Sequence, residues 1–235
     1  MAKIFLSMPV ADRPELQTMC SLFLSMVTSK HEVIIHSTEN DSLISRIRNS
    51  HISTFWEDYK QCDYFFSLDS DLEIADVSKD NNIFDKLIDH DKEFVGALYA
   101  LKNPTERKCS SFTIDGKNKI ARNIGLIEMM WLSTGCWCLK RSAVEKMIKA
   151  YPELIYTGDG VMAGRRVYGL YVPFIKDLGR GIKKYLSEDW AFADRWKSIG
   201  GKIYADTSIV LKHIGKHSYE LWDEKINLPK AGFNL

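Results

Sequence analysis

The sequence predicts an α/β fold: a single domain over residues 1-235 with a mostly parallel central sheet flanked by helices and a smaller mixed β region in its C-terminal half. Three observations lead there. Short apolar runs alternate with helical-period segments through the first hundred residues, in the order β-α-β-α-β. Such an order favours parallel strands joined by right-handed crossovers. The second half breaks that rhythm, with shorter runs and a glycine-rich stretch.

Taken in order, Lys3 to Val10 reads as a strand ending at Pro9. Pro14 to Ser29 carries Leu16, Met19, Cys20, Phe23, Leu24 and Val27 at helical spacing, with Asp12 as the expected N-cap. Glu32 to His36 is the second strand, and Ser42 to Tyr59 the second helix, with Leu43, Ile44, Ile47, Phe55 and Trp56 on its apolar side. Tyr64 to Leu68 is an aromatic-rich buried strand. Asn82 to His90 reads as a short helix and Phe94 to Leu101 as the next strand. Beyond it, Ser110 to Ile120 with Asp115-Gly116 at its centre reads as a β-hairpin. Cys136 to Leu139 is strand-like and Ser142 to Ala150 helical. Thr157 to Gly181, with Arg165, Arg166 and Arg180, reads as a mobile loop. Ser187 caps a helix that stops at Gly200-Gly201, and Lys202 to His213 is strand-like.

With 235 residues, 45% hydrophobic and 27% charged, the chain is long enough to bury a substantial core. A formal net charge of +1 gives no argument for a nucleic-acid or membrane partner, so local basic clusters matter more. Five cysteines without CxxC spacing argue against a zinc site or a disulfide framework and for a reducing compartment, the cytoplasm. No stretch approaches a membrane span, and no signal-peptide pattern opens the chain.

Asp69-Ser70-Asp71, directly after the strand Tyr64 to Leu68, carries the most chemistry. In an open α/β sheet, ligands bind beyond the carboxyl ends of the strands. Two carboxylates separated by one residue at such an edge can share a divalent cation, which in turn neutralises a diphosphate. The same pattern also describes an ordinary solvated strand end. In Ser187-Glu188-Asp189-Trp190, two acids occupy a helix's first turn, either as a match to the helix dipole or as a general base. The segment His213-Ile214-Gly215-Lys216-His217 offers imidazoles suited to Mn²⁺ and a phosphate-facing turn, or surface residues that titrate. Arg46-Ile47-Arg48-Asn49 places guanidinium groups on the helix before the acidic strand, either solvated or reaching the acidic cluster. Cys136 and Cys138 alternate with Trp137 and read as core thiols.

Together these segments resemble a nucleotide-sugar glycosyltransferase of the GT-A fold. The resemblance also takes in Met8-Pro9-Val10, Val95 to Lys102, the Ser133-Thr134-Gly135 turn leading to Lys140-Arg141, and Leu211 to Gly215. The chain is similar to small viral and bacterial members, such as the glycosyltransferase domains of large algal viruses, for which the compartment would be the host cytoplasm. The resemblance implies a GT-A-like, Rossmann-related domain, with residues 1-101 as the nucleotide-sugar-binding half and 102-235 as the acceptor-binding and catalytic half. It implies Mn²⁺ or Mg²⁺ held by Asp71 and His213, with Asp69 on the metal or the donor ribose and His217 as a fallback ligand. Pro9, Arg48, Ser70, Lys102 and Lys216 would face the donor. Asp189 would be the catalytic base of an inverting enzyme, with Glu188 binding acceptor or donor hydroxyls. The partners implied are a nucleoside-diphosphate sugar, UDP-linked in the first instance, and a glycan or other hydroxyl-bearing acceptor. Thr157 to Gly181 matches none of the family's motifs.

Two other readings use the same residues. A sugar-phosphate nucleotidyltransferase shares the metal carboxylates but carries a glycine-rich basic loop after the first strand, which Met8 to Asp12 is not. A non-enzymatic metal-binding α/β module explains Asp69 and Asp71 but leaves Glu188, Asp189 and His213 without a role. A retaining transferase would use a similar donor site.

Overall fold

The computed structural model describes residues 1–38, 41–215 and 217–222. The elements in chain order are β1 (Lys3–Pro9), α1 (Leu16–Thr28), β2 (Glu32–Thr38), α2 (Ile44–Glu57), β3 (Tyr64–Leu68), β4 (Leu72–Ile74) and α3 (Ile83–Asp89). Then come β5 (Phe94–Ala97), β6 (Phe112–Thr113), β7 (Leu126–Trp131), β8 (Cys136–Lys140), α4 (Arg141–Ala150), β9 (Ile155–Thr157) and β10 (Arg166–Tyr168). The chain continues through β11 (Phe174–Asp177), β12 (Lys183–Leu186), α5 (Glu188–Ser198), β13 (Ile203–Asp206), β14 (Leu211–Ile214) and β15 (Ser218–Glu220).

Eight strands form the central sheet in the order β2-β1-β3-β8-β5-β13-β7-β6. The expected parallel core is present in β2, β1 and β3 and again where β13 pairs with β5. The sheet as a whole is mixed rather than mostly parallel. β8 runs antiparallel between β3 and β5, and β7 and β6 add two more antiparallel contacts. The reason lies in β8, which starts beside the end of β3, with Cys136 opposite Leu68, and so must run back along it. A strand buried on both faces reads as a continuous apolar run, and such a run carries no direction.

Strand alternation sends side chains into two cores, one on each face of the sheet. Phe5, Phe65, Trp137 and Leu139 point to one side, where they meet Phe55 of α2, Val144 of α4 and Phe192 and Trp196 of α5. Ile4, Leu6, Phe66, Leu68, Cys136 and Cys138 point to the other, against Leu22 of α1 and Phe84 of α3. Both sulfurs are core thiols as expected, and burial raises their pKa. Gly96 of β5 is required by packing: a Cβ there would lie 2.4 Å from the Cys136 carbonyl oxygen.

Several local expectations change. The helical period of α1 holds, but the face that packs is Thr18, Ser21, Leu22 and Ser25, while Leu16, Phe23, Leu24 and Val27 are exposed. Hydroxyl and carbonyl contacts fix that face: the Ile74 amide donates to Ser21 Oγ at 3.0 Å and Asn82 Nδ2 to the Ser25 carbonyl at 2.7 Å. Glu15, not Asp12, occupies the N-cap position of α1. The Asp115-Gly116 turn forms, closed by the Gly116 amide on the Thr113 carbonyl at 2.9 Å and by the Thr113 amide on the Lys117 carbonyl at 2.9 Å, but the strand partner of β6 is β7. Lys202 to His213 divides into β13 and β14, which belong to different sheets.

The largest correction concerns Thr157 to Gly181, which is not a free loop. Val167, Tyr168, Leu170 and Tyr171 are buried. The Tyr168 amide donates to Ser53 Oγ at 2.9 Å and the Tyr171 amide to Asn49 Oδ1 at 2.8 Å, so polar side chains of α2 fasten this segment down. Among the described residues no helix is long and apolar enough to cross a membrane.

Candidate active site at the carboxyl edge of the sheet

The carboxyl ends of β1 and β3, the turn before β8, the start of α5 and β14 meet at one edge. Pro9, Val10 and Ala11 line an open cleft there with Ser42, Ile44, Arg48, Asp69, Ser70 and Asp71. Asp69 is fixed by its amide on the Gly135 carbonyl at 2.8 Å, and Ser70 by its carbonyl accepting from the Glu15 amide at 2.8 Å.

Arg48 organises the interior of this edge. It lies on α2, is 4% exposed, and donates from Nη2 to Asp69 Oδ1 at 2.8 Å. Its Nη1 reaches Ser67 Oγ at 3.3 Å and the Thr134 carbonyl at 3.4 Å, and Glu188 Oε1 stands 3.8 Å from Nε. Burial opposes this charge, but Asp69 and Glu188 outweigh it and hold the guanidinium pKa above its ordinary value. Arg46, two residues earlier, points elsewhere and pairs with Asp41 at 2.6 Å on the surface.

Asp71 forms a second cluster. Lys102 Nζ lies 2.6 Å from Asp71 Oδ2 and His213 Nε2 lies 3.3 Å from the same oxygen. Burial alone would raise the Asp71 carboxyl; His213 and Lys102 overcome it and bring the pKa down to about 2. His213 Nδ1 is 2.8 Å from the Ala100 carbonyl. A carbonyl only accepts, so Nδ1 donates to Ala100, and Nε2 is the ring nitrogen turned toward the Asp71 carboxylate.

At the start of α5, Ser187 occupies the N-cap position but makes no cap to the helix backbone. Its hydroxyl donates instead to Asp189 Oδ1, which also accepts from the Trp190 amide at 2.7 Å. Among the described residues, Asp189 Oδ2 accepts no hydrogen bond. Burial raises the Glu188 pKa, and the neighbouring Asp189 adds to it, against the pull of Arg48. Tyr99 connects the groups: its hydroxyl accepts from the Gly135 amide at 3.1 Å, and its pKa is raised first by burial and then by Asp69 and Asp189. A Cβ on Gly135 would collide with that hydroxyl at 2.4 Å.

Pro9, Arg48, Asp69, Ser70, Asp71, Lys102, Glu188, Asp189 and His213 therefore fall at or around one edge. His217 does not join Asp71; it lines a neighbouring groove with Asn103, Pro104 and Arg107. Lys216 lies outside the described residues. The implied divalent ion fits in a restricted way. Asp71 and His213 Nε2 are two candidate ligands, but they already face each other at 3.3 Å, Asp69 is committed to Arg48, and Lys102 sits on the oxygen a cation would take. Among the described residues, no group of three histidine, cysteine or acidic side chains converges as a metal site.

Sequence reasoning missed Tyr99 and the aromatic cluster behind Asp189. Trp131 and Trp190 stack with centroids 4.9 Å apart, Phe112 meets both edge-on, and Lys184 Nζ lies 4.1 Å and 4.4 Å from their centroids. Trp190 beside Asp189 was the one available signal, because Phe112, Trp131 and Lys184 come from distant parts of the chain.

No protein-family model and no curated protein matches the chain. Among solved structures, it is similar to A197 from STIV, with a TM-score of 0.56 and 17% identity over 95% of this chain and 95% of that one. This likeness shows a shared mixed α/β fold. A glycosyltransferase involved in the glycosylation of the major capsid of PBCV-1 aligns with a TM-score of 0.35 and 12% identity over 63% of this chain and 67% of that one. That second likeness is too slight to carry an argument.

Proposed function

We propose that the protein is a glycosyltransferase that moves a sugar from a nucleoside-diphosphate donor, UDP-linked in the first instance, to an acceptor hydroxyl with inversion. The supporting observation is the meeting, at one sheet edge, of the Asp69–Asp71 turn with Arg48, Lys102 and His213 on one side and Glu188 and Asp189 on the other. Residues 1-101 would then contribute most of the donor side and residues 102-235 the acceptor side.

In this reading the Pro9–Ala11 turn borders the nucleoside, and Arg48 fixes Asp69 toward the donor ribose. Lys102 supplies positive charge beside the diphosphate. Asp71 and His213 would hold Mn²⁺ or Mg²⁺, and the bound ion would stabilise charge on the departing diphosphate. Ser187 and the Trp190 amide orient Asp189 through one oxygen, leaving the other to take the acceptor hydroxyl's proton. Glu188, of raised pKa, would hydrogen-bond substrate hydroxyls. The Trp131–Trp190 stack offers an apolar wall to the acceptor.

Asp189→Asn should abolish transfer while leaving nucleotide binding close to wild type; full transfer by that variant would refute the base assignment. Anomeric proton couplings of the product, measured by NMR, distinguish inversion from retention. A second reading rests on the 2.6 Å contact between Lys102 and Asp71: the ammonium itself serves as the diphosphate's counter-charge and transfer needs no metal.

A further inference from the structure

The β11–β12 hairpin is a two-stranded unit separate from the eight-stranded sheet. Its register pairs Phe174 with Leu186, Ile175 with Tyr185, Lys176 with Lys184 and Asp177 with Lys183. Strand alternation therefore puts Phe174, Lys176, Lys184 and Leu186 on one face and Ile175, Asp177, Lys183 and Tyr185 on the other. The first face is fastened to the body: Lys176 pairs with Asp194, Lys184 lies over Trp131 and Trp190, and the Arg195 guanidinium packs 4.8 Å from the Phe174 ring centroid.

The second face and the tip are open. Ile175, Leu178, Ile182 and Tyr185 are 66%, 51%, 58% and 64% exposed. The tip is an ordered turn, with the Leu178 amide on the Ile182 carbonyl at 2.9 Å and the Ile182 amide on the Gly179 carbonyl at 3.0 Å. Arg180 and Lys183 stand among these apolar side chains, both exposed and, among the described residues, without an acidic partner. Asp177, the one acid on the hairpin, is turned back to cap the Gly179 amide at 2.7 Å.

We propose that this hairpin docks the protein on an anionic lipid surface, its apolar tip entering the headgroup layer and Arg180 and Lys183 meeting lipid phosphates. Charge complementarity selects this occupant. Exposed aliphatic and tyrosine side chains interleaved with unpaired cations match an interface that is apolar below and negative above. A protein partner fits less well, because a standard interface covers about 800 Å² per side, more than one short hairpin face offers. The hairpin's anchored face touches Trp190, next to Asp189, so docking would bring the candidate acceptor side close to the lipid.

The test is co-sedimentation of the full chain with vesicles of phosphatidylcholine alone and of phosphatidylcholine mixed with phosphatidylglycerol. The wild type should pellet with the anionic vesicles, less so as salt rises, and stay in solution with the neutral ones. At about fivefold per cation, removing both charges in R180Q/K183Q should lower partitioning by about thirty-fold. L178S/I182S should also release the protein. I182W should give a blue-shifted emission on anionic vesicles if the tip enters the headgroup layer. Unchanged circular dichroism and thermal midpoint establish that each variant is folded, and a misfolded pair is replaced by Y185S. Failure of the wild type to bind anionic vesicles at low salt, equal binding to neutral vesicles, or wild-type binding by R180Q/K183Q would overturn the proposal. None of these readouts depends on nucleotide or sugar chemistry.

Discussion

Replacing Arg48 with methionine removes the cation from the centre of the site while keeping much of the side chain's bulk. Asp69 loses its partner at 2.8 Å and Glu188 its neighbour at 3.8 Å, and the two carboxylates are left in each other's field. Removing one member of a buried ion pair costs about 3–5 kcal/mol. The side chains of Asp69 and Glu188 retain 23% and 20% exposure, through which water can take up part of the charge, so the lower end applies. The expected destabilisation at pH 7 is about 3 kcal/mol, roughly a hundredfold in the folding constant. Its pH dependence is the sharper signature. Glu188 already has a raised pKa, and loss of Arg48 raises it further. A folded-state pKa above the unfolded one means the native state takes up protons first, so acidification stabilises the variant relative to wild type. Urea unfolding followed by tryptophan fluorescence at pH 7 and pH 5 should therefore show the penalty shrinking with acid. A cost below about 1 kcal/mol, or one that does not change between the two pH values, would refute the reasoning.

Glu188→Gln should raise the urea midpoint at pH 7, because the raised Glu188 pKa marks a stability contribution that is present in acid and lost as pH rises through the folded-state value; the gain should vanish near pH 4. Gly96→Ala should destabilise by about 1–3 kcal/mol or more, read as a lowered thermal midpoint, since the added Cβ meets a strand carbonyl that cannot move aside. His213→Ala should weaken metal-dependent nucleotide binding by removing one of the two available ligands, with little change in thermal stability.

The strands that build the site were legible because apolar, aromatic runs ending in acids or proline have few other structural uses. That Asp69, Asp71, Glu188 and Asp189 would share one edge was legible for a related reason: the first two follow a strand and the last two open a helix, and those positions fall at one edge of an α/β sheet, whereas His213 lies inside β14 and reaches Asp71 through tertiary pairing. Strand direction was not legible in β8, because a doubly buried run looks the same both ways. The packed face of α1 was hidden because serine and threonine hydroxyls dock it while its larger apolar residues face outward. Glycines in 157–181 suggested freedom, yet Tyr168 and Tyr171 are held by polar side chains of α2, a contact more than a hundred residues apart in sequence. Arg46 and Arg48 differ by two positions, which on a helix means different faces, and only the tertiary structure distinguishes the surface pair from the buried one.

Calorimetric titration of UDP and of GDP, each with Mn²⁺ and with EDTA, tests the central claim most directly. The account predicts nucleoside-diphosphate binding that is strongest with Mn²⁺ and is lost in Asp71→Ala; preference for GDP would change the donor and keep the class. Binding that persists in EDTA and falls in Lys102→Ala would assign the counter-charge to the ammonium. No binding of either nucleotide under any metal condition would contradict the account, and Asp69 and Asp71 would then be an ordinary strand end.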